Sequence, residues 1–345
     1  MEEIVTPLLK WYQKNKRPLP WRADKDPYHV WISEIMLQQT RIEPVKKVFY
    51  NRFMEALPTI KDLSEVDEEK LLKIWEGLGY YNRARNIQKA AQVVMKKYHG
   101  KFPKKYDEII ALPGIGEYTA GAISSICFNE KQVAIDGNVL RVYMRLINSK
   151  ANVLDADVRK EVSEKIKKIL PKKSGDFNQA IMELGETICL PAASPHCEEC
   201  PLNKYCEGYK QNTAKDLPVR LVKSNKKIDN ITVLLIKYKN KVALIKRTNK
   251  ALLNNLWEFP NVEQEMTEDS IKKWLELKKI DGLIFKDVST VHKFSHKTWN
   301  IQSYIIEVDK ELEGYTWATI KEIEEKYAIP TAFQPFVQVI KEELS

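Results

Sequence analysis

The chain has 345 residues, a formal net charge of +9 and 43% hydrophobic residues, which is typical of a globular protein. Its length allows two domains. No apolar run is long enough to span a bilayer, and the first residues, MEEIVTPLLKWYQKNKR, lack the apolar core of a signal peptide. The composition excludes fibrous and disordered proteins, and we expect a cytoplasmic protein.

The positive charge is unevenly distributed. Residues 227–345 hold 18 Lys and Arg against 18 Asp and Glu, so the excess of +9 lies in residues 1–226. A basic half indicates a polyanionic partner such as a nucleic acid, although a lysine-rich solvated surface gives the same balance.

The N-terminal region predicts helices over Ile4–Asn15 and from Asp26 onward. The second helix, PYHVWISEIMLQQT, is apolar around almost its whole circumference but carries Glu34 in its middle. A buried carboxyl is either paired with a cation or shifted towards the neutral acid, and the helix alone does not decide between these. Thr40 and Glu43 predict a capping box for the next helix.

Aromatic and basic residues follow the turn Gly77-Leu78-Gly79 that ends a predicted helix over Asp67–Glu76. Such a mixture suits base stacking with phosphate contact, while tyrosines at a helix start are also common core residues. The residues are Tyr80, Tyr81, Arg83 and Arg85, and a helix is predicted to continue to about Tyr98.

The segment LPGIGEYTAG at 112–121 predicts a helix-hairpin-helix. A short helix over Tyr106–Ala111 is stopped by a proline, and Gly114 and Gly116 allow a tight turn before a helix to about Phe128. Glycines permit close approach of an anion to the free N–H groups at a helix start. This element predicts binding to nucleic-acid phosphate, which positions a protein without supplying chemistry.

Asp136 follows an apolar run, Val133–Ile135, and precedes a predicted helix from Val139. An N-cap is the ordinary interpretation of an Asp at this position. It is also the carboxyl nearest in sequence to the phosphate-binding hairpin.

Four of the five cysteines follow predicted helices at Asp155–Ile169 and Phe177–Ile188, with gaps of seven, two and five residues. Four clustered thiols indicate a metal or cluster site more than disulfides in a cytoplasmic chain. One compact run with a single Cys-x-x-Cys favours a four-thiolate iron–sulfur cluster over zinc. The cysteines are Cys189, Cys197, Cys200 and Cys206.

The pattern changes towards the C terminus. A polar, lysine-rich linker is followed by the predicted strands ITVLLIKY, KVALIKRT and TWNIQSYIIEV, with helices from about Glu268, Ile320 and Ala332. This region predicts an α+β domain.

Together, WISEIMLQQT, GLGYYNRARN, LPGIGEYTAG, AIDGNV and the four cysteines resemble the MutY-type adenine DNA glycosylases of the helix-hairpin-helix superfamily, which also contains endonuclease III. LWEFPNVE at 256–263 resembles their C-terminal MutT-like domain. The glutamate-rich Nudix metal box is absent, so we expect recognition without pyrophosphate hydrolysis. The loop between the first two cysteines is one residue longer than is usual in the family and lacks its basic residues.

The resemblance implies a multi-domain protein. An all-α helix-hairpin-helix glycosylase domain with an iron–sulfur cluster loop would cover residues 1–212, a linker 213–229, and an α+β Nudix-like domain 230–345. It also implies a [4Fe-4S] cluster on the four cysteines and a monomer associated with the nucleoid.

The implied activity is excision of adenine mispaired with 8-oxoguanine, and with guanine, in duplex DNA during base excision repair. Glu34 would protonate the adenine, and ionised Asp136 would stabilise the sugar cation, with Asn138 orienting the site. Tyr118 stands where endonuclease III has its nucleophilic lysine, so the resemblance implies a monofunctional enzyme.

The resemblance also implies residues for DNA. Tyr80 would act as a wedge beside the lesion, and the 8-oxoguanine would be met by the loop containing Phe294, Ser295 and His296. Further implied DNA contacts are Arg22, Gln38, Gln39, Arg83, Arg85, Gly114, Gly116 and Gln179. Two alternatives remain open, namely an endonuclease III-like glycosylase and lyase, and a non-catalytic DNA-binding module.

Overall fold

A computed structural model describes residues 1–191, 195–221, 227–248, 252–278 and 280–344. The chain divides into two compact units, one formed by Met1–Glu65 and Arg85–Val222 and the other by Val66–Ala84 and Lys223–Ser345. No helix within the described ranges is both long and apolar enough to cross a membrane. Residues 222–226 of the predicted linker lie outside the described residues.

The first 221 residues are helical where they are described, as the sequence predicts. The helices are α1 (Val5–Asn15), α2 (Pro27–Leu37), α3 (Ile42–Pro44), α4 (Tyr50–Ala56), α5 (Ile60–Glu65), α6 (Glu68–Ile74), α7 (Asn82–Tyr98), α8 (Tyr106–Ile110), α9 (Glu117–Phe128), α10 (Gly137–Leu146), α11 (Ala156–Ile169), α12 (Ser174–Thr187) and α13 (Glu207–Lys210).

One hydrophobic cluster of the first unit lies where α1, α10 and α12 meet. Leu8, Val142, Phe177 and Leu184 are fully or almost fully buried in one cluster. Removing this apolar surface from water is the main favourable term for the unit. The same packing places the N-terminal end of α10, where Asp136 lies, beside α12.

The predicted capping box at Thr40 is wrong. The next helix begins at Ile42 with Arg41 as its N-cap, and no side chain caps it. Thr40 instead donates its hydroxyl to the carbonyl of Gln38 (3.5 Å). The reason is a turn after Leu37 in which Gln39 takes a left-handed conformation (φ 60°), so Thr40 belongs to the turn.

The second unit is built on a mixed sheet in the order β3-β2-β1-β6-β5, with β4 paired to β1 and β7 paired to β2. The strands β1 and β6 are parallel, and the pair β5 and β6 is antiparallel. The elements are β1 (Lys227–Tyr238), β2 (Lys241–Lys246), β3 (Trp257–Glu258), β4 (Asn261–Val262), α14 (Glu268–Lys278), β5 (Gly282–Lys293), β6 (Lys297–Val308), β7 (Thr316–Ala318), α15 (Ile320–Glu325) and α16 (Gln334–Glu343).

Helices cover both faces of this sheet. Along β1, Val233 belongs to a cluster with residues of α15 and α16, while Leu234 belongs to a cluster with residues of α14. Successive side chains point to opposite faces, so a strand covered on both sides is apolar throughout. This explains the continuous apolar run ITVLLI and confirms the predicted mixed α and β fold.

The strand β5 was missed by the sequence analysis. It is an outer strand of the sheet order and leaves Leu283 64% and Phe285 52% exposed. Its register with β6 also shifts between Lys286 and Ser289. An irregularity of this kind breaks the alternation that identifies a strand in sequence.

Candidate active site

Glu34 lies in the last turn of α2, a helix with eight buried residues between Tyr28 and Met36. Asp26 fixes the start of this helix, since its Oδ1 accepts a hydrogen bond from the Tyr28 amide (2.8 Å). Glu34 is only 8% exposed, so its carboxyl is largely removed from water.

The hydroxyl of Tyr118, in the first turn of α9, donates to Glu34 Oε2 at 2.6 Å. Burial raises the pKa of Glu34 to about 7, the Tyr118 hydrogen bond lowers it, and the charge of Asp136 raises it. Burial also raises the pKa of Tyr118 well above its ordinary value, so the phenol stays a neutral donor. At neutral pH the Glu34 carboxyl is therefore present in both its protonated and its ionised form.

Asp136 is the N-cap of α10, as its sequence position predicts, and its Oδ1 accepts from the Val139 amide (2.8 Å). Its other oxygen accepts from Asn138 Nδ2 (2.8 Å), which also donates to Glu186 (2.9 Å). Arg141 in turn donates to the side-chain oxygen of Asn138 (2.6 Å). The amide of Asn138 thus has a fixed orientation between two carboxylates and a guanidinium.

Gly185 makes this arrangement possible. A Cβ added at Gly185 would lie 2.6 Å from the Cβ of Asn138, closer than real contacts allow. Helices α10 and α12 therefore approach each other at the point where Asn138 is held.

The two carboxyls differ in their hydrogen bonds. Burial raises the pKa of Asp136, but the bonds from Val139 and Asn138 lower it. Burial raises the pKa of Glu34 in the same way, but among the described residues only Tyr118 donates a hydrogen bond to it. Since hydrogen bonds to the charged form favour ionisation, Asp136 is the better anion and Glu34 the better acid.

Both carboxyls line an open cleft of about 1850 Å³ in the first unit. Tyr118 and Asn138 line it as well, so the structure brings together all four residues predicted as catalytic. The cleft is also lined by four residues that the sequence analysis assigned to DNA or to the pocket, namely Arg22, Gln38, Gln39 and Gln179.

Glu183 on α12 is 1% exposed and was not predicted as a functional residue. Its carboxylate accepts hydrogen bonds from Arg17 Nε (2.6 Å) and Arg22 Nη2 (2.9 Å). The guanidinium of Arg22 also lies over the Tyr12 ring, 5.8 Å from its centroid. These contacts hold the loop between α1 and α2 beside the cleft. In the sequence, the only indication of this role is that Glu183 is a charged residue on an apolar face of a predicted helix.

The two glycines of the helix-hairpin-helix, Gly114 and Gly116, differ in conformation and in the space around them. Gly114 has φ 75°, and a Cβ there would lie 2.5 Å from Asn86 Cβ, so both its conformation and its size are required. Gly116 is the N-cap of α9, and a Cβ there would meet open space. The start of α9 therefore stays accessible to an anion.

Tyr80 lies in the second unit, on a turn where Gly77 (φ 92°), Gly79 (φ 68°) and Tyr80 itself (φ 48°) are left-handed. The Tyr80 ring is 49% exposed. Arg83 donates to the carbonyls of Leu78 (2.8 Å) and Gly79 (3.1 Å), and burial lowers its pKa to about 10. The guanidinium of Arg83 thus supports the turn, and DNA contacts of Arg83 and Arg85 stay a prediction.

The segment from Phe294 to His296 forms the turn between β5 and β6, with Ser295 and His296 exposed. Phe294 is half-buried and packs edge-on against Trp299, with ring centroids 4.8 Å apart. The Ser295 hydroxyl has a hydrogen-bond contact with His296 Nδ1 at 3.4 Å. The turn therefore exposes the polar side chains of Ser295 and His296 next to the Phe294 ring. That this turn contacts 8-oxoguanine stays a prediction.

The four predicted cluster cysteines line one small cavity. Burial raises the pKa of the Cys200 thiol to about 12. Arg145, which is buried, donates to Cys189 Sγ (3.2 Å), and its Nη2 has no partner among the described residues. Within the described ranges no three His, Cys, Asp or Glu residues converge closely enough to hold a single metal ion.

Comparison with known proteins agrees with this architecture. Residues 32–172 match the family described as HhH-GPD superfamily base excision DNA repair protein, and residues 232–339 match the NUDIX domain family. An adenine DNA glycosylase of Buchnera aphidicola subsp. Acyrthosiphon pisum (strain APS) is 35% identical over 98% of this chain and 97% of that protein. The Homo sapiens adenine DNA glycosylase is 31% identical over 90% of this chain and 67% of that protein.

Solved structures resemble the helical part. A thermostable thymine-DNA glycosylase has a TM-score of 0.55 and 30% identity, covering 61% of this chain and 97% of that chain. An endonuclease III in a non-covalent complex with DNA has a TM-score of 0.53 and 29% identity, covering 62% of this chain and 96% of that chain.

Proposed function

The chain belongs to the adenine DNA glycosylase family, and we propose that it excises adenine paired with 8-oxoguanine, or with guanine, during base excision repair. The reaction of the family is hydrolysis of the N-glycosidic bond. The observation that carries the proposal is the pair of unlike carboxyls on one cleft. Glu34 has a pKa of about 7 because it is buried, and Asp136 accepts two hydrogen bonds that favour its anion.

Adenine is a poor leaving anion, so its departure requires a proton. The target nucleotide would turn out of the duplex into the cleft, because the bond is not accessible within stacked DNA. Glu34 would then give its proton to N7 of the adenine as the bond to C1′ breaks, and the base would leave neutral. Tyr118 keeps the carboxyl in place by its hydrogen bond of 2.6 Å.

The sugar left behind carries positive charge, and the Asp136 carboxylate would stabilise it by its charge or by a transient bond to C1′. Water then supplies the hydroxyl to C1′, and its remaining proton restores the acid form of Glu34. Asn138 is the positioning residue, because its amide joins Asp136 to Glu186 and receives Arg141.

Position 118 separates this reaction from that of an endonuclease III-like glycosylase and lyase. A lyase of that kind needs an amine to form a Schiff base with the sugar. Tyr118 has no amine, and its hydroxyl is engaged with Glu34. We therefore propose a monofunctional enzyme.

The assigned DNA contacts form two groups. In the first unit, the open start of α9 after Gly116 suits a phosphate, and Gln38 and Gln39 line the cleft where the strand would open. In the second unit, Tyr80 is the exposed aromatic ring that would wedge into the stack, and Ser295 would read the edge of 8-oxoguanine. We propose that the protein acts on duplex DNA in the nucleoid as a monomer.

We also propose a [4Fe-4S] cluster on Cys189, Cys197, Cys200 and Cys206. The four cysteines line one small cavity, and four cysteine thiolates are the ligand set of such a cluster. Arg145, which donates to Cys189 Sγ, would place its positive charge beside the sulfurs. When bound, the cluster would crosslink the chain between residues 189 and 206, of which residues 192–194 lie outside the described residues.

We propose that residues 1–212 and residues 230–345 fold as separate domains joined by a linker at residues 213–229. The segment Val66–Ala84 is grouped with the C-terminal residues.

A single-turnover assay on duplexes with adenine opposite 8-oxoguanine or guanine, and thymine opposite adenine as control, tests the function. Release of adenine from the mispairs alone is expected, with abasic DNA that stays uncut until alkali is added. Cleavage of a strand containing an oxidised pyrimidine would favour the endonuclease III-like alternative. Tight binding without base release would favour a DNA-binding module.

A further inference from the structure

The segment carrying Tyr80 is attached to the C-terminal part of the second unit through Lys73. This residue lies on α6 and uses its ammonium for three hydrogen bonds. Two of them go to backbone carbonyls, that of Ile323 in the last turn of α15 (2.9 Å) and that of Tyr327 just after the helix (3.1 Å). The third goes to Glu76 (2.6 Å). A cation at a helix C-terminus satisfies carbonyls that lack intrahelical donors.

Glu76 completes the attachment from the other side. Its Oε1 accepts from the Ile329 amide (2.7 Å) and from Gln334 Nε2 (3.3 Å). The side chains of Lys73 and Glu76 are only 17% and 18% exposed. Such a pair is costly to break, since removing one member leaves the other charge partly buried with fewer partners. We call Lys73, Glu76 and their four partners, Ile323, Tyr327, Ile329 and Gln334, the Lys73–Glu76 link.

Two further contacts extend the link along α6. Glu69 forms an ion pair with Lys246 on β2, and Glu68 accepts a hydrogen bond from Asn255 (3.2 Å). The Glu69–Lys246 pair is more exposed than the Lys73–Glu76 pair and therefore weaker. Together with the contacts of Lys73, these two contacts show that α6 touches the C-terminal residues of the second unit from its first turn to its last.

The Tyr80 turn follows directly from this helix. Trp75, at the C-terminus of α6, is fully buried and donates its indole N–H to the carbonyl of Gly79 (3.1 Å). Arg83 donates to the carbonyl of Gly79 as well, and its guanidinium lies over both the Trp75 and Tyr80 rings. The exposed Tyr80 ring is therefore held by residues that are themselves anchored next to Glu76.

We propose that Lys73 and Glu76 are positioning residues for specificity, because they attach the Tyr80 turn to the residues around Ile329, which share a hydrophobic cluster with Phe294 next to Ser295. This rests on the function proposed above, in which Tyr80 wedges into the duplex and Ser295 meets 8-oxoguanine. Recognition of the lesion by one turn then sets the position of the other. Energetic coupling of two sites requires such a shared element.

The variants are Lys73→Met, which removes the three donors and keeps an unbranched side chain, and Glu76→Ala. Lys70→Met is the matched control, because Lys70 is exposed on the same helix. Hydrogen–deuterium exchange of the full-length protein without DNA is measured first. Peptides covering residues 77–83 and 323–329 should exchange at least about tenfold faster in both link variants, consistent with losing a charge-assisted bond. They should be unchanged in the control.

The second measurement is a double-mutant cycle with Tyr80→Ala and Ser295→Ala, using dissociation constants for DNA with adenine opposite 8-oxoguanine. In the wild-type and Lys70→Met backgrounds, the change in dissociation constant caused by both substitutions together should differ from the product of the two single changes by about fivefold or more, a typical magnitude for coupled sites. In the Lys73→Met background the double change should equal this product, which means that the two sites are no longer coupled.

Effects that multiply in the wild-type background would overturn the proposal, as would unchanged exchange in the link variants. The proposed function fails in a different way. If wild-type protein does not prefer 8-oxoguanine over guanine, the lesion assignment is wrong, while the exchange data still report whether Lys73 and Glu76 hold the Tyr80 turn.

Discussion

The pKa of Glu34 gives the sharpest prediction for the proposed chemistry. Burial raises this pKa to about 7, and only the protonated form can act as the acid. The single-turnover rate of adenine release should therefore be level below pH 6 and fall tenfold per pH unit above the pKa. Between pH 6 and pH 9 the loss is about 100-fold for one titrating group.

Two variants separate this cause from a general effect of pH. Glu34→Gln should abolish adenine release with little change in DNA affinity, because it removes the proton donor at almost constant size. Tyr118→Phe removes a hydrogen bond that lowers the Glu34 pKa, so the alkaline fall should move to higher pH. The assay is single-turnover kinetics with saturating enzyme from pH 5.5 to 9.5. A flat wild-type profile, or an unmoved one in Tyr118→Phe, would refute the assignment.

The same group affects stability. Its pKa rises from an ordinary value of 4.5 to about 7 on folding, so no effect is expected below pH 4.5, where both states hold the proton. Between these values the unfolded chain ionises while the folded protein does not, and above pH 7 the folded state is less stable by about 3 kcal/mol. Glu34→Gln should therefore raise the melting temperature at pH 8 more than at pH 5. An equal difference at both pH values would show that Glu34 is not desolvated.

The remaining predictions concern other parts of the molecule. Wild-type protein should not be trapped on DNA by borohydride at the rate of base release, because Tyr118 has no amine, and trapping at that rate would identify a lyase. Ser295→Ala should reduce the preference for 8-oxoguanine over guanine several-fold, since one hydrogen bond is worth about 1 kcal/mol, and an unchanged ratio of dissociation constants would exclude the contact. Cys200→Ser should lower the iron content and melting temperature of freshly purified protein, and colourless, zinc-containing wild type would contradict a cluster. Gly185→Ala should slow adenine release while the protein stays folded, since the added Cβ displaces Asn138, and a wild-type rate would show that this residue is not needed.

Much of the architecture was determined locally and was therefore accessible from sequence. The helix-hairpin-helix depends on Gly114, whose positive φ and close neighbour leave no room for a side chain. The helix α2 was predicted to be buried because its apolar residues surround it. The order of helices followed by strands comes from hydrophobic periodicity, which is a property of neighbouring residues.

Other features required the tertiary structure, because they join residues that are distant in the chain. The sequence does not show whether Glu34 is paired with a cation or is a buried neutral acid. The hydrogen bond from Tyr118 in α9, which only the fold reveals, distinguishes these two cases. Glu183 becomes a partner of Arg17 and Arg22 only once α12 lies beside the first loop. Two of the three hydrogen bonds of Lys73 go to residues 250 and 254 positions away in the chain, and no sequence pattern around Lys73 indicates them. Charge partners brought together by packing leave no periodic signal in the chain, so the environment of each carboxyl was decided by the fold.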